Sequence, residues 1–198
     1  MARRIRTHTN PLSYPWPIPR ESWISLLTQE KPLHVDVGCG KGDFILDSAK
    51  AHPDRNYLGI EVRKAMSDEV NIKIKSSGLT NVCCVQGNAT ISFATMFNPE
   101  EVSAFYFQFP DPWPKERHKK RLVLQESALD GLYTALKNGG TIVLITDVKE
   151  VYDWFMPLLS SRFKEMDYPT DLLPSYWEKW HNEQETVLHK AAFIKSIK

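Results

Sequence analysis

From residue 33 onward, the chain alternates between short apolar runs and stretches in which apolar residues recur every three or four positions. The short runs predict buried strands, and the recurring pattern predicts amphipathic helices. Strands that alternate with helices indicate βα units, a mostly parallel sheet and right-handed crossover connections. The predicted strands are residues 33–37, 56–61, 82–86, 102–109 and 141–146, and the predicted helices are residues 43–51, 64–77, 90–97, 122–136 and 148–162.

Two of these helices carry signals about their ends and faces. The helix over residues 64–77 is expected to stop at Gly78, because glycine favours a helix C-terminus. Asp147 is expected to cap the helix over residues 148–162, since an acid follows three positions later. The predicted inward-facing residues of the first of these helices are Met66, Val70, Ile72 and Ile74.

The two ends of the chain differ from this alternating middle. Residues 1–20 contain four prolines, which predicts an extended arm rather than a helix. Beyond the last predicted helix lie strand-like stretches near residues 163–168 and 186–196, separated by an irregular insert near residues 169–185. We therefore expect a basic, proline-rich arm followed by a single folded domain at residues 21–198.

The composition is that of an ordinary globular chain, with 42% hydrophobic and 25% charged residues among 198. The net charge is only +1, yet the bases are unevenly placed. Residues 1–20 and residues 115–121 each carry a net charge of +4, and the rest of the chain carries −7. Positive charge that is concentrated in this way on a nearly neutral protein is typical of a surface that contacts a polyanion.

The sequence predicts neither a membrane segment nor a secretory leader. No apolar run approaches the roughly 18 residues that span a bilayer, and no apolar segment follows the basic N-terminus. The three cysteines, Cys39, Cys83 and Cys84, fit neither a disulfide framework nor a zinc knuckle. We therefore expect a cytoplasmic protein that holds no metal.

A glycine-rich loop follows the first predicted strand. Gly38, Gly40 and Gly42 allow the backbone to approach a ligand just before a predicted helix. The dinucleotide fingerprint G-x-G-x-x-G requires a glycine where this chain has Asp43, and the P-loop motif G-x-x-x-x-G-K-[ST] is absent from the sequence. The loop therefore favours a ligand other than a dinucleotide.

Polar residues stand at the ends of the first three predicted strands, where ligands bind in open α/β sheets. Asp36 precedes the glycines and can pair with an amino or other cationic group. Glu61 can accept from both hydroxyls of a ribose, and Asn88 can read the edge of an adenine. These three residues together indicate S-adenosylmethionine, which joins an adenosine to a sulfonium and an amino-acid tail. The alternative is a solvated strand end for either acid and a plain turn for Asn88.

The loop after the fourth predicted strand reads FPDPWPK from Phe109 to Lys115. Its carboxylate, Asp111, is held between two prolines in a stiff, extended backbone. Trp113 can stack on a flat base or form a wall beside it. The basic residues within 115–121 suit a phosphate backbone. The alternative is a proline turn that leads into a solvated basic helix start.

The run FPDPWPKERHKKR strongly resembles the signature of the bacterial tRNA (guanine-N7-)-methyltransferases. DVGCGKG and GIEVR resemble the cofactor motifs of that family, and the likeness covers about residues 33–195. The resemblance implies an α/β, Rossmann-like class I methyltransferase with a mostly parallel seven-stranded sheet flanked by helices, its last strand antiparallel. It also implies S-adenosylmethionine-dependent methylation of guanine N7 in tRNA, at guanosine 46 of the variable loop. We expect a monomer or a homodimer.

The resemblance also implies roles for individual residues. Asp111 would be the catalytic residue and would lie near the methyl group of the cofactor. The residues that would bind the cofactor are Asp36, Gly38, Gly40, Glu61, Asn88 and Asp111. The residues that would hold the target nucleotide are Lys115, Asp147, Ser175 and Glu178. Ser175 and Glu178 match a T-x-x-E motif, and a register one residue earlier would place Pro174 and Trp177 there.

The chain departs from the family pattern at Asp36, where Glu is common, at Asn88, where Asp is common, and at Ser175, where Thr is common. Two other functions remain open from the sequence. One is a methyltransferase with a substrate other than tRNA, against which the basic run argues. The other is an RNA-binding protein on a methyltransferase fold, and the intact acids Asp36, Glu61 and Asp111 argue against it.

Overall fold

A computed structural model describes residues 9–27 and 30–196, and seven strands of this part of the chain form one sheet. The strands are β1 (Leu33–Val37), β2 (Asn56–Glu61), β3 (Val82–Gln86), β4 (Val102–Gln108), β5 (Leu136–Thr146), β6 (Lys164–Met166) and β7 (His189–Ile194). Their order is β3-β2-β1-β4-β5-β7-β6. The first five are parallel, and β7 is antiparallel to both of its neighbours. The mostly parallel sheet with an antiparallel last strand is confirmed.

Helices cover both faces of the sheet and bury two apolar clusters. The helices are α1 (Asp43–Ala51), α2 (Lys64–Ser77), α3 (Phe93–Met96), α4 (Leu129–Ala135), α5 (Lys149–Ser160) and α6 (Tyr176–Glu183). One cluster joins Phe44 and Ile45 of α1 to Val70 of α2. The other joins α3, α4 and α5 through Phe93, Leu132, Phe155 and other buried residues. Two packed faces are what a sheet built from βα units requires.

The first three strands and the helices α1 and α2 have the predicted bounds. One predicted core residue is wrong: Ile72 is 70% exposed, whereas Val70 is fully buried. Two positions correspond to about 200° around a helix, so both side chains cannot face the sheet. Gly78 ends α2 in a left-handed conformation, as predicted.

The fifth strand begins earlier than its apolar run suggested. Leu136 already pairs with Val102 of β4, and the strand continues through the glycines to Thr146. An irregularity in the pairing accommodates residues 137–140, which include Asn138, Gly139 and Gly140, the residues that the sequence predicts to stop the preceding helix. The preceding helix is therefore short, and Leu122 lies outside it.

The structure also differs from the predictions near the C-terminal helices. The residue that caps α5 is Val148, whose N–H donates to Thr146 Oγ1 at 3.1 Å, so the predicted cap by Asp147 is wrong. The insert near residues 169–185 contains α6. The predicted helix at residues 90–97 is a 3₁₀ turn at Ala89–Ile91 followed by the single-turn α3.

The N-terminal segment from residue 9 to residue 27 packs against the folded domain. Ile18 is buried against Gly87, where an added Cβ would lie 2.5 Å from Ile18 Cγ1. Trp23 Nε1 donates to the carbonyl of Met96 at 3.1 Å. The backbone is extended apart from short 3₁₀ turns, the first at Pro11–Ser13. Residues 1–8, which hold three of the arm's four arginines, lie outside the described residues.

Candidate functional site

A pocket of about 460 Å³ opens at the carboxyl ends of β1, β2 and β4. Ligands of open α/β sheets bind at this edge, and cofactor pockets have volumes of about 300–1,000 Å³. The predicted site residues that line it are Asp36, Gly38, Gly40, Glu61, Asn88, Asp111 and Ser175. Lys115, Asp147 and Glu178 are not among its described lining residues.

Asp36 is the last-but-one residue of β1, lies on the wall of the pocket and is only 3% exposed. Burial raises the pKa of its carboxyl to about 7, a rise that the Gln108 amide opposes and the Glu61 carboxylate adds to. Within the described residues, Asp36 Oδ1 is buried without a hydrogen-bond partner. A buried acceptor of this kind fits a ligand that brings a cationic donor.

Glu61 ends β2, and several donors hold its carboxylate in place. Gly40 N donates to Oε2 at 2.9 Å, which ties the glycine loop to the strand. Arg63 donates to Oε1 from its backbone N at 2.9 Å and from Nε at 3.0 Å. The carboxylate is therefore anchored at the pocket wall before any ligand arrives.

The residues at this end of the pocket fit S-adenosylmethionine. Gly38 and Gly40 have φ of 84° and 57°, and an added Cβ on either would meet nothing within 4 Å, so the loop turns beside open space. Asp36 has the unpartnered oxygen that an amino group requires. Glu61 offers a fixed anion on the adjacent strand, where it can accept hydrogen bonds from the hydroxyls of a ribose.

Asn88 lines the same pocket, but its amide already has two local partners. Oδ1 accepts from Thr90 N at 3.1 Å, which starts the 3₁₀ turn after β3. Nδ2 donates to the carbonyl of Pro11 at 3.1 Å and so holds the N-terminal segment. Reading of an adenine edge by Asn88 stays a prediction, and the structure adds a role in joining this segment to the pocket.

The loop after β4 brings Asp111 to the pocket wall, where it is half-buried. Phe109 has a φ of 50° and anchors the loop by donating from N to the carbonyl of Ile145 at 2.8 Å. Trp113 is buried and also has a positive φ, of 44°. Two residues in a conformation that non-glycine residues rarely adopt therefore flank the proline-locked carboxylate. Trp113 forms part of the wall of the pocket.

The basic run divides into anchored and exposed side chains. It forms a 3₁₀ segment, Glu116–Arg121, rather than the start of an α-helix. The Arg121 guanidinium lies over the Trp113 ring at 4.9 Å from its centre. Lys119 contacts Glu116 at 2.7 Å. The exposed bases of the run are Lys115, Arg117 and Lys120.

The three remaining predicted substrate residues lie around α6. Ser175 caps this helix and accepts from Glu178 N at 3.3 Å. Glu178 Oε1 accepts from Lys190 Nζ at 2.7 Å. Asp147 Oδ2 lies 3.4 Å from Nε2 of the buried His181, whose ring stacks on Phe109. The structure thus joins these residues to the Asp111 loop, although Ser175 alone of the three lines the pocket.

Several residues of the pocket were not singled out from the sequence. Arg63 holds Glu61, and it stands within the GIEVR run that carries the family resemblance. Gln108 immediately precedes the FPDPWPK run. Tyr176 lies between the two residues that match the T-x-x-E motif, in an insert that the sequence predicts to be irregular. Trp177 is named from the sequence only in the alternative register of that motif.

Comparison with known proteins gives matches along most of the chain. A family model described as "Putative methyltransferase" matches residues 30–192. A tRNA (guanine-N(7)-)-methyltransferase of Thermosynechococcus vestitus is 34% identical over 98% of this chain and 93% of its own length. An enzyme of the same name from Synechocystis sp. is 39% identical over 76% of this chain and 74% of its own. The aminoglycoside resistance methyltransferase NpmB1 has the same fold, with a TM-score of 0.63, 18% identity, and coverage of 91% of this chain and 95% of that one.

Proposed function

The chain belongs to the family of S-adenosylmethionine-dependent tRNA (guanine-N7-)-methyltransferases, from which we infer that its reaction is the transfer of a methyl group to N7 of a guanine in tRNA. One structural observation carries the assignment of the site. A single pocket brings the acids that end β1 and β2 together with Asp111, which lies between two prolines after β4. The residues expected to bind the cofactor and the residue expected to act on the substrate therefore line the same pocket.

We propose that the cofactor lies across the ends of β1 and β2. Glu61 would accept from its ribose hydroxyls, and Asp36 from its amino group. The turn at Gly38 and Gly40 would hold the amino-acid portion beside the open space of the pocket. When bound, S-adenosylmethionine supplies an electrophilic methyl group on a positively charged sulfur.

Asp111 is the proposed catalytic residue. Guanine N7 carries a lone pair and no proton, so no general base is needed and alignment supplies most of the acceleration. Methylation leaves the purine positively charged, and a fixed carboxylate stabilises the charge as it develops. The same carboxylate can accept from the N1 and N2 hydrogens of guanine and orient the base. The two prolines and the anchored Phe109 hold Asp111 in place for either role.

The exposed bases Lys115, Arg117 and Lys120 would contact the tRNA backbone beside the pocket. Lys115, Asp147, Ser175 and Glu178 are the proposed contacts to the target nucleotide, as the family resemblance implies. Because Asp147 and Glu178 already contact His181 and Lys190, the arrival of the nucleotide would have to exchange those contacts.

Guanosine 46 of the variable loop is the proposed target, and the cytoplasm is the proposed site of action. No helix within the described ranges has both the length and the apolar character needed to cross a bilayer. A monomer or a homodimer remains the expected oligomeric state.

The test is methylation of unmodified tRNA with labelled S-adenosylmethionine, followed by mapping of the modified base. We expect 7-methylguanosine at one position of the variable loop. A matched transcript in which adenosine replaces guanosine 46 should not be labelled. Cofactor binding together with tRNA binding, but without transfer to any RNA, would instead support an RNA-binding protein on a methyltransferase fold.

A further inference from the structure

His181 of α6 is a buried side chain that contacts two loops on the substrate side of the pocket. Its ring stacks on the ring of Phe109, at the start of the Asp111 loop, with the ring centres 5.2 Å apart and the planes at 12°. Its Nε2 lies 3.4 Å from Oδ2 of Asp147, which follows β5. The residue is only 4% exposed and is not among the described lining residues of the pocket. Any effect of His181 on the reaction is therefore exerted through its neighbours.

The stack on Phe109 supports a strained position of the backbone. Phe109 has a φ of 50°, and a residue other than glycine keeps such a conformation only when its surroundings fix it. The backbone N of Phe109 is fixed by the carbonyl of Ile145, and its buried ring packs on the ring of His181. Only Pro110 separates Phe109 from Asp111. A rotation of Phe109 would therefore move the Asp111 carboxylate along the pocket wall.

The contact with Asp147 orients a second carboxylate on the same side. Asp147 directly follows β5, which pairs with β4 as far as Gln108, so the loops after these two strands are neighbours. Asp147 is half-buried, and its Oδ2 points toward the imidazole nitrogen of His181. One imidazole ring thus contacts both the loop that carries Asp111 and the residue that follows β5.

Other contacts hold α6 in place without the help of His181. Lys179 Nζ lies 3.5 Å from Asp47 of α1, and Glu178 Oε1 accepts from Lys190 Nζ of β7 at 2.7 Å. Trp180 packs edge-to-face against the imidazole ring, with the ring centres 4.8 Å apart. The helix is therefore a fixed support from which the His181 ring reaches the two loops.

We propose that His181 is a positioning residue for methyl transfer, which places Asp111 through the stack on Phe109 and orients Asp147 through its Nε2. This inference rests on the proposed function, because it takes Asp111 as the residue that acts on the guanine and Asp147 as a contact of the target nucleotide. The two roles use different parts of the imidazole, its face and its nitrogen. Two substitutions can therefore separate them.

The experiment uses the full chain, unmodified tRNA and two complementary variants. His181→Phe keeps an aromatic face for Phe109 and removes the nitrogen beside Asp147. His181→Gln keeps an N–H that can donate to Asp147 and removes the ring. We expect His181→Phe to raise the KM for tRNA by about threefold to tenfold and to keep the single-turnover rate at saturating tRNA. We expect His181→Gln to lower that rate by about threefold to tenfold, the value of a stacked aromatic pair, and to keep the KM.

Three controls separate these outcomes from a loss of structure. Affinity for S-adenosylhomocysteine should be unchanged in both variants, because the acids proposed to bind the cofactor lie on β1 and β2 rather than after β4 and β5. Lys179→Gln is the matched control on α6, since it removes the contact with Asp47 and leaves His181 in place, and it should change neither the rate nor the KM. In a chain that carries Asp147→Asn, the further change His181→Phe should raise the KM no more, because the two residues act as one unit.

The division between rate and KM decides the outcome. Opposite effects of the two variants support the inference. Parallel losses of rate and KM that follow a fall in melting temperature would mean that His181 only stabilises α6, and would overturn it. Unchanged kinetics in both variants, or additive effects of His181→Phe and Asp147→Asn on the KM, would overturn it as well.

A substitution on the loop side keeps the test decisive if His181→Gln does not fold. Phe109→Leu removes the same stack from the other partner and should lower the single-turnover rate to the same extent. A normal rate in Phe109→Leu would refute the placement of Asp111 through the stack. If the unmodified protein binds S-adenosylhomocysteine but transfers no methyl group to tRNA, the proposed function fails rather than the role of His181.

Discussion

Glu61→Gln tests whether the carboxylate that ends β2 binds the cofactor. The substitution keeps the shape of the side chain and removes its charge. Glu61 is only 2% exposed, and its two oxygens accept from Gly40 N, Arg63 N and Arg63 Nε at 2.9–3.0 Å. The amide nitrogen of a glutamine would have to point toward one of these donors. At least one charge-assisted hydrogen bond is then lost, and an N–H of the glutamine faces an N–H of Gly40 or Arg63.

The structure sets the magnitude of the expected change. A hydrogen bond to a charged group contributes about 1.5–3 kcal/mol. The bonds to Gly40 and Arg63 exist without the cofactor, so the free energy of unfolding should fall by about this amount. Loss of the carboxylate that would accept from the ribose hydroxyls should weaken the binding of S-adenosylhomocysteine by a comparable free energy, which raises its Kd about tenfold to a hundredfold.

Urea denaturation and calorimetry measure the two changes separately. Arg63→Gln is the control, because it removes the side-chain donor to Glu61 and leaves the carboxylate charged. We expect that control to lower stability and to change affinity less than Glu61→Gln does. If Glu61→Gln binds S-adenosylhomocysteine as tightly as the unmodified protein, Glu61 is an anchor for the glycine loop and not a cofactor ligand.

Three further predictions concern the other charged groups. Asp111→Asn should keep the affinity for the cofactor but slow single-turnover methyl transfer at saturating tRNA by at least about tenfold, which corresponds to roughly 1.4 kcal/mol in the barrier. An unchanged rate would mean that Asp111 is only a turn residue. The double substitution Arg117→Glu and Lys120→Glu should weaken tRNA binding. It should also reduce the slope of log affinity against log salt concentration by about one unit for each phosphate that the protein no longer binds. Lys75→Glu, in the last turn of α2 at the opposite edge of the sheet, is the control and should change neither quantity. Because the pKa of Asp36 is raised to about 7, its carboxyl is largely protonated in the free folded protein below that pH. The carboxyl must lose this proton before it can pair with the ammonium of the cofactor. Affinity for S-adenosylhomocysteine should therefore rise from pH 6 to about pH 7 and then level off. 5′-Methylthioadenosine, which lacks the ammonium, should show no such rise, and a flat profile for S-adenosylhomocysteine would refute the pairing.

The order of strands and helices was predictable because apolar periodicity is a local property. Strands β1 to β3 and helices α1 and α2 have the predicted bounds, since the strands are short apolar runs and the helices show apolar residues at intervals of three or four. The ends of β1 and β2 also identified Asp36 and Glu61, because chain order alone places both at the carboxyl edge of a parallel sheet. The family resemblance added the fold class and the reaction.

Long-range packing decided what local patterns could not show. The 11-residue β5 pairs with β4 at Leu136 and again from Thr141 onward. Between these points Gly139 N donates to the carbonyl of Lys195, and the carbonyl of Gly140 accepts from Lys195 N, so a distant segment holds a glycine-containing stretch that locally prefers a turn. Helix α6 is a short helix of mainly aromatic, polar and charged residues, and it brings Tyr176 and Trp177 to the pocket.

The chemistry of the site depends on the same long-range packing. The raised pKa of Asp36 arises only when the sheet buries its carboxyl beside Gln108 of β4 and Glu61 of β2. Residue type and spacing thus determined which groups reach the edge of the sheet. Tertiary structure determined which of them are paired and which await a ligand, because burial and hydrogen bonding are set by neighbours that are distant in the chain.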